Sequence, residues 1–141
     1  MEIAGITEMI EESARFAGTL SPRSHGATVV ALSGDLGAGK TTFAQGIARA
    51  LGVEEQVTSP TFVIEKIYSL QNQKFARLIH IDAYRLKDSH ELEVLGWKEV
   101  SADPENLIII EWPENISGLV PETAHRVSLK GSGDSREIIQ D

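Results

Sequence analysis

The chain has 141 residues, 41% hydrophobic and 24% charged, which predicts one globular domain spanning residues 1–141. It contains no cysteine, and this excludes disulfides, thiolate metal sites and thiol catalysis. Thirteen basic and 21 acidic side chains give a net charge of −8. Because proteins that bind nucleic acid by neutralising phosphates are basic, we expect no direct DNA binding, and any role with RNA to run through a partner.

The N-terminal segment predicts a helix rather than an export signal or a membrane span. MEIAGITEMIEESARFAG carries four Glu and one Arg, the wrong charge pattern for a secretory signal. No apolar run in the chain approaches the roughly 18 residues that cross a bilayer. Apolar residues recur at helical spacing from Ile6 to Ala17, and Pro22 and Gly26 follow as helix breakers. We therefore expect an amphipathic helix in a cytoplasmic protein without membrane contact.

A predicted strand and a predicted helix enclose a glycine-rich segment. ATVVALS (27–33) is a β-branched apolar run that indicates a strand buried on both faces. KTTFAQGIARAL, from Lys40, places apolar residues on one helical face and has Gly52 as its stop. Residues 34–41 between them, GDLGAGKT, match G-x-x-x-x-G-K-[ST] at every fixed position.

This segment has the composition and the context of a phosphate-binding loop. Glycines let backbone N–H groups converge on phosphate oxygens, and the following helix N-terminus adds partial positive charge. Lys40 is expected to reach the β- and γ-phosphates, the Thr41 hydroxyl to bind Mg²⁺, and Thr42 to lie near the α-phosphate. The nucleotide-binding candidates are Gly34, Asp35, Leu36, Gly37, Ala38, Gly39, Lys40, Thr41 and Thr42.

The segment TSPTF (58–62) follows the helix and precedes the next apolar run. Switch segments of nucleotide-binding proteins occupy this position, and the hydroxyls of Thr58, Ser59 and Thr61 are candidates to contact a γ-phosphate or water. The alternative is a plain loop fixed by its proline.

Two acids each end a predicted strand. TFVIEKIYSL and FARLIHID flank the polar tip QNQ and predict a hairpin that ends in Asp82, while NLIIIE (106–111) predicts a strand that ends in Glu111. Phosphoryl transfer with Mg²⁺ uses such an acid beside the phosphate loop and a group that orients the nucleophile. These residues alone leave open which acid serves the metal.

Three further side chains lie beside the acids. Arg85 is a candidate to stabilise phosphate charge, and His80 is interpreted either as a site residue or as an ordinary strand residue packed beside Asp82. Trp112, between Glu111 and a proline, is a candidate stacking or interface residue.

The remaining elements complete the prediction of the fold. DSHELEVLG indicates a helix with Asp88 as N-cap, Glu91 three residues later and Gly96 at its end. The segment 124–140 has the shape of a terminal hairpin that turns between Gly131 and Asp134. Strand–helix units mixed with hairpins predict a three-layer α/β protein with a mixed sheet flanked by helices, of the P-loop NTPase type, with antiparallel additions.

Five blocks together resemble the TsaE (YjeE) family of small bacterial P-loop ATPases. SGDLGAGKTTF, TSPTF, HIDAYR, ELEVLGW and IIIEWPE occur in that family's order and spacing, and the resemblance spans about residues 27 to 121. It implies a cytoplasmic ATPase needed for making N6-threonylcarbamoyladenosine in tRNA. It also implies action on a complex of the TsaB and TsaD proteins, with tRNA involved only indirectly.

The resemblance also implies roles for individual residues. Glu111 takes the Walker B position as the first choice for Mg²⁺, and Asp82 becomes the candidate to orient the attacking water. Trp112 lies at the nucleotide or partner surface. In the family, segments near both termini hold part of the adenine, and the matching candidates are Thr7 and Arg136, although the N-terminal segment departs from the family's usual helix.

Two other functions share these residues. A small-molecule kinase has the same phosphate loop but needs an acceptor site and an arginine-bearing lid, for which the sequence offers no candidate. A nucleotide-dependent switch or binding module with negligible hydrolysis would use the same loop and acids.

Overall fold

The computed structural model describes residues 2–35, 38–54, 65–87, 89–94, 96–132 and 135–140. The strands in these ranges are β1 Glu2–Ile3, β2 Thr28–Gly34, β3 Glu65–Ser69, β4 Arg77–Asp82, β5 Asn106–Glu111, β6 His125–Ser132 and β7 Ser135–Gln140. The helices are α1 Ile6–Gly18, α2 Lys40–Ala50, α3 Ser89–Val94, α4 Trp97–Ala102 and a 3₁₀ helix Pro113–Ile116. None of the helices described is long and apolar enough to cross a membrane.

The strands form one mixed sheet in the order β1-β7-β6-β2-β5-β4-β3. Strands β6, β2, β5 and β4 run parallel, whereas β3, β7 and β1 join their neighbours antiparallel. The predicted mixed sheet with antiparallel hairpin additions is thereby confirmed, and the carboxyl ends of β2, β4 and β5 meet at one edge.

Helices cover both faces of the sheet. One apolar cluster joins α1 and α2 to the face that includes Leu32, Leu78 and Ile109. The other joins α3, α4 and the 3₁₀ helix to the opposite face, which includes Ala31 and Ile110. Because side chains alternate along each strand, consecutive residues of β2 and β5 contribute to different clusters. The three-layer prediction is confirmed.

A close approach between α1 and α2 fixes the helix that follows the glycine-rich turn. A Cβ at Gly46 would lie 1.6 Å from the Ser13 hydroxyl oxygen, so only glycine allows this contact. Next to it the rings of Phe16 and Phe43 lie 5.6 Å apart, tilted by 53°. The position of the α2 N-terminus is therefore set by core packing as well as by the turn.

Several short elements were not predicted from the sequence. Gly96, with φ of 90°, ends the predicted helix but is followed at once by α4. Strand β1 has two residues and the 3₁₀ helix has four, which is too short for a hydrophobic period to be recognisable. The predicted N-cap Asp88 lies outside the described residues, and Glu91 accepts a hydrogen bond from the Lys87 backbone N–H at 3.1 Å.

Candidate phosphate site at the carboxyl edge of the sheet

The turn between β2 and α2 requires glycine at two described positions. Gly34 has φ of 149°, and a Cβ there would lie 2.4 Å from the carbonyl oxygen of Leu129 on β6. Gly39, the residue before α2, has a left-handed conformation with φ of 106°. The turn is therefore packed directly against the neighbouring strand. Leu36 and Gly37 lie outside the described residues.

The Lys40 side chain folds back over this turn. It is only 5% exposed, and its Nζ donates hydrogen bonds to the carbonyl oxygens of Gly34 and of Asp35, the latter at 3.0 Å. The same nitrogen lies 4.1 Å from the centre of the Trp112 ring, in cation–π geometry. The ammonium thus lies inside the glycine-rich turn, where a phosphate group is expected.

Burial also changes the acidity of this ammonium. It lowers the pKa of Lys40 from its ordinary value, while nearby carboxylates, with Glu111 first among them, act in the opposite direction. An anion in the turn would favour the charged form further, because opposite charges attract strongly where water is scarce.

A buried chain of contacts connects α2 to β5 and β4. The Thr41 hydroxyl donates to Oε1 of Glu111 at 3.3 Å, and Oε2 of the same carboxylate lies 2.6 Å from His80 Nε2. Glu111 is 3% exposed and His80 is 1% exposed. His80 therefore contacts Glu111, whereas the sequence had suggested Asp82 as its neighbour.

The two strand-ending acids lie side by side in different surroundings. Asp82 and Glu111 are register partners at the end of the β4–β5 ladder. Asp82 is half-buried, and its Oδ1 accepts a hydrogen bond from the Tyr84 backbone N–H at 2.9 Å. Of the two, Glu111 is the one in contact with Thr41.

The Thr41–Glu111 contact fits a magnesium site. Mg²⁺ bound to phosphates takes oxygen ligands, usually one or two from carboxylates, and completes its shell with phosphate and water. A hydroxyl and a carboxylate that already touch, at the N-terminus of the helix behind the turn, supply such oxygens. Asp82 is a second carboxylate at this edge.

Trp112 adopts a conformation that is unusual for a residue with a side chain. Its φ and ψ are 60° and 51°, and its ring lies 4.9 Å from the half-exposed ring of Tyr84. The Asn115 side-chain amide donates to the carbonyl oxygens of Ala83 and Tyr84 at 2.8 and 3.2 Å and so ties the two segments together. The ring is half-buried over Lys40, and Arg85 is exposed nearby in sequence. Tyr84 and Asn115 had no signal in the sequence.

The remaining predicted site residues are only partly described. Thr42 is half-buried in the first turn of α2, and Thr7 is exposed in the first turn of α1. The backbone of Arg136 pairs with Ile3, so the two terminal segments meet, but the Arg136 side chain lies outside the described part. So do the predicted switch residues Thr58, Ser59 and Thr61.

The sheet and this site define an α/β protein whose central strand leads through a glycine-rich turn into a buried helix. Residues 7–138 match the family described as Threonylcarbamoyl adenosine biosynthesis protein TsaE. The chain belongs to this family.

Relatives carrying the name tRNA threonylcarbamoyladenosine biosynthesis protein TsaE are similar over most of the chain. The protein of Borreliella burgdorferi is 42% identical over 67% of this chain and 66% of its own length. That of Bacillus subtilis is 41% identical over 78% of this chain and 66% of its own length. The Treponema pallidum protein is 32% identical over 94% of this chain and 96% of its own. The chain thus spans about two thirds of the first two relatives.

A solved structure has a similar fold. It is the crystal structure of YdiB from Bacillus subtilis. The match covers 99% of this chain and 82% of the YdiB chain, with a TM-score of 0.75 and 27% sequence identity.

Proposed function

We propose that this protein is a cytoplasmic ATPase that binds ATP with Mg²⁺ and hydrolyses it to ADP and phosphate in support of tRNA N6-threonylcarbamoyladenosine modification. The observation that carries the proposal is the contact of Thr41, at the start of α2, with Glu111, at the end of β5, beside the turn that holds Lys40. Membership of the TsaE family supports the tRNA pathway.

In this proposal Lys40 is the phosphate-binding cation. Its ammonium donates to the carbonyl oxygens of Gly34 and Asp35, and the β- and γ-phosphates would replace these acceptors. Charged acceptors make stronger hydrogen bonds than carbonyls do. The exchange therefore favours nucleotide binding and stabilises the charged form of a buried ammonium.

Thr41 and Glu111 would hold Mg²⁺, with Asp82 as the alternative ligand. The ion supplies charge neutralisation on the phosphate oxygens when it is bound. Asp82, at the same edge and more accessible than Glu111, is then the candidate to orient the attacking water.

The other predicted residues complete the nucleotide and partner surfaces. Trp112 and Arg85 belong to the nucleotide or partner surface, Thr58, Ser59 and Thr61 act as the switch, and Thr7 and Arg136 contact the adenine. The partner is the TsaB–TsaD complex, with tRNA reached only through it. A net charge of −8 supports docking on protein rather than on tRNA phosphates.

The test is phosphate release from ATP with and without purified TsaB–TsaD, for the wild type, Lys40→Ala and the control Lys98→Ala. Lys98 is exposed on α4. We expect partner-dependent release that Lys40→Ala abolishes and Lys98→Ala retains. Tight binding without release would instead identify a switch, and phosphate appearing on a small acceptor would identify a kinase.

A further inference from the structure

His80 is a buried polar side chain in the interior of β4, whose other interior residues are apolar. Its neighbours along β4, Ile79 and Ile81, are buried in the cluster on the other face of the sheet. The imidazole is 1% exposed and lies on the same face as Leu78, under α2. Burying a polar ring here costs free energy that an apolar side chain of similar size would not, so its contacts need an explanation.

The ring reaches toward the site. The register partner of His80 on β5 is Ile109, but Nε2 lies 2.6 Å from Oε2 of Glu111, two residues further along that strand. A carboxylate only accepts hydrogen bonds, so Nε2 carries the proton in this contact. The other ring nitrogen, Nδ1, is buried and finds no hydrogen-bond partner among the residues that the structure describes. The hydrogen bond to Glu111 is therefore the polar contact that the structure describes for the His80 ring.

Glu111 has a competing partner close by. Lys40 is buried in the adjoining turn, and Glu111 is the carboxylate that acts on it most strongly. Within the described part of the chain, however, Oε2 of Glu111 contacts His80 Nε2, while Lys40 donates to the carbonyl oxygens of the turn. Direct pairing of Glu111 with Lys40 would occupy both a phosphate-binding cation and a metal ligand.

We propose that His80 is a positioning residue for Glu111. Its Nε2–H holds Oε2, which keeps Oε1 beside the Thr41 hydroxyl and directs the carboxylate toward Mg²⁺ and away from Lys40. This inference rests on the proposed function, in which Thr41 and Glu111 hold the ion. Hydrogen-bond partners of ligating carboxylates typically change metal affinity or activity by about 10- to 100-fold when they are removed.

Three variants separate positioning from packing. His80→Leu removes the donor but keeps an apolar filling, and His80→Asn keeps an amide that is too short to reach Glu111. His80→Gln has an amide nitrogen about where Nε2 lies and retains the donor. Ile79→Val, on the opposite face of β4, is the control for a small loss of core packing.

The measurement is ATP affinity by calorimetry with Mg²⁺ and with EDTA, together with Mn²⁺ binding by electron paramagnetic resonance in the presence of a non-hydrolysable ATP analogue. We expect His80→Leu and His80→Asn to lose about 10- to 100-fold in the affinity for Mn²⁺ and in the Mg²⁺-dependent part of ATP affinity. The affinity in EDTA stays within about twofold of the wild type, because the turn and Lys40 are intact. His80→Gln and Ile79→Val retain the Mg²⁺-dependent part.

A double-mutant cycle adds a second readout. Once Glu111→Gln has removed the ligand, adding His80→Asn should change Mn²⁺ affinity little further, because the two side chains act as one unit. If His80→Leu does not fold, His80→Asn and His80→Gln decide the matter between them, with urea unfolding as the check on stability.

Other results overturn the inference. Equal losses in Mg²⁺ and in EDTA would make His80 a packing residue only, as would wild-type Mn²⁺ affinity in His80→Asn or additive effects in the cycle. A wild-type protein whose ATP affinity does not depend on Mg²⁺ would overturn the proposed metal site itself, and the inference with it. If the ATP affinity of the wild type depends on Mg²⁺ and the His80 variants show the same dependence, the inference about His80 is wrong while the proposed metal site stands.

Discussion

Two polar clusters lie at opposite ends of the same pair of strands, and their chemistry differs. The amino-end cluster consists of Arg77, Asp103 and Asn106, where β4 and β5 begin. The carboxyl-end cluster consists of Lys40, Thr41, His80 and Glu111, where the two strands end. The ladder that joins them runs from Arg77–Asn106 to Asp82–Glu111, and the two clusters face opposite sides of the sheet.

The amino-end cluster is closed on itself. Arg77 donates to the side chains of Asn106 and Asp103, both at 2.7 Å. The Asn106 amide in turn donates to the carbonyl oxygen of Val100 on α4 at 2.9 Å. Each polar group named here has a partner, and the bonds tie the strand starts to a helix. Such a network stabilises the fold, because its polar groups satisfy one another.

The carboxyl-end cluster is left open. His80 Nδ1 has no described partner, and the Lys40 ammonium is satisfied by backbone carbonyls rather than by a carboxylate. Burial lowers the pKa of Lys40, which shows that the folded protein disfavours the charged form. The comparison teaches that one end of the ladder contributes stability while the other accepts an energetic cost that a bound anion and cation would relieve.

The largest effect is expected from a substitution of Glu111, the acid of the carboxyl-end cluster. Glu111→Gln should lower Mg²⁺-dependent ATP affinity by about 100-fold or more, since even partners of metal ligands cost about 10- to 100-fold. The fold should be retained, because the amide keeps the volume of the side chain. Calorimetric titration of ATP with Mg²⁺ and with EDTA measures this loss.

Asp82→Asn is the matched variant for that experiment. It removes the charge of the register partner of Glu111, and we expect it to spare ATP binding and to reduce partner-dependent phosphate release. The opposite pattern, with binding lost in Asp82→Asn and turnover lost in Glu111→Gln, would exchange the roles of the two acids.

The second largest effect is expected from a substitution in the amino-end cluster. Asn106→Ala removes an acceptor from Arg77 and a donor from Val100 at a position that is 4% exposed. We expect the free energy of unfolding to fall by about 2 kcal/mol, as buried groups lose their partners. Urea unfolding measures this fall. The Mg²⁺-dependent ATP affinity, measured at urea concentrations below those that unfold the protein, should not change. A change in that affinity would mean that the two ends of the ladder are coupled.

The sequence was sufficient for much of this architecture. Strand β5 begins and ends where the apolar run NLIIIE was predicted to, because a buried parallel strand is a continuous apolar segment bounded by polar residues. Helix α1 matches its predicted range since its apolar period is regular. Both acids were located for the same reason, as each follows such a run.

The contacts within the site were not predictable in the same way. Which acid touches Thr41 depends on the position of α2, and this is fixed by Gly46 against Ser13 in a different helix. The His80 contact depends on strand register, and the left-handed conformation of Trp112 depends on tertiary packing. A histidine inside an apolar strand was the visible signal for His80, but its partner was a non-local property.

The smallest expected effect is a dependence of the free energy of unfolding on pH, and it comes from Lys40 in the carboxyl-end cluster. The pKa of Lys40 is lowered from 10.5 mainly by burial, so between the lowered value and 10.5 the unfolded chain binds more protons than the folded one. Stability then rises with pH across that window, and the full penalty remains below it. Lys40→Met removes the titrating group. Its gain in stability relative to the wild type should therefore be largest at neutral pH and shrink toward pH 10.5.

Urea unfolding of the wild type, Lys40→Met and Lys98→Met at several pH values between neutral and 10.5 measures this difference. Lys98 is exposed, so its variant should differ from the wild type by an amount that does not change with pH. A difference for Lys40→Met that stayed constant or grew with pH would mean that folding does not disfavour the charged ammonium. The polar groups of the carboxyl-end cluster would then satisfy one another as those of the amino-end cluster do. The geometry of the carboxyl-end cluster would no longer argue for a bound phosphate.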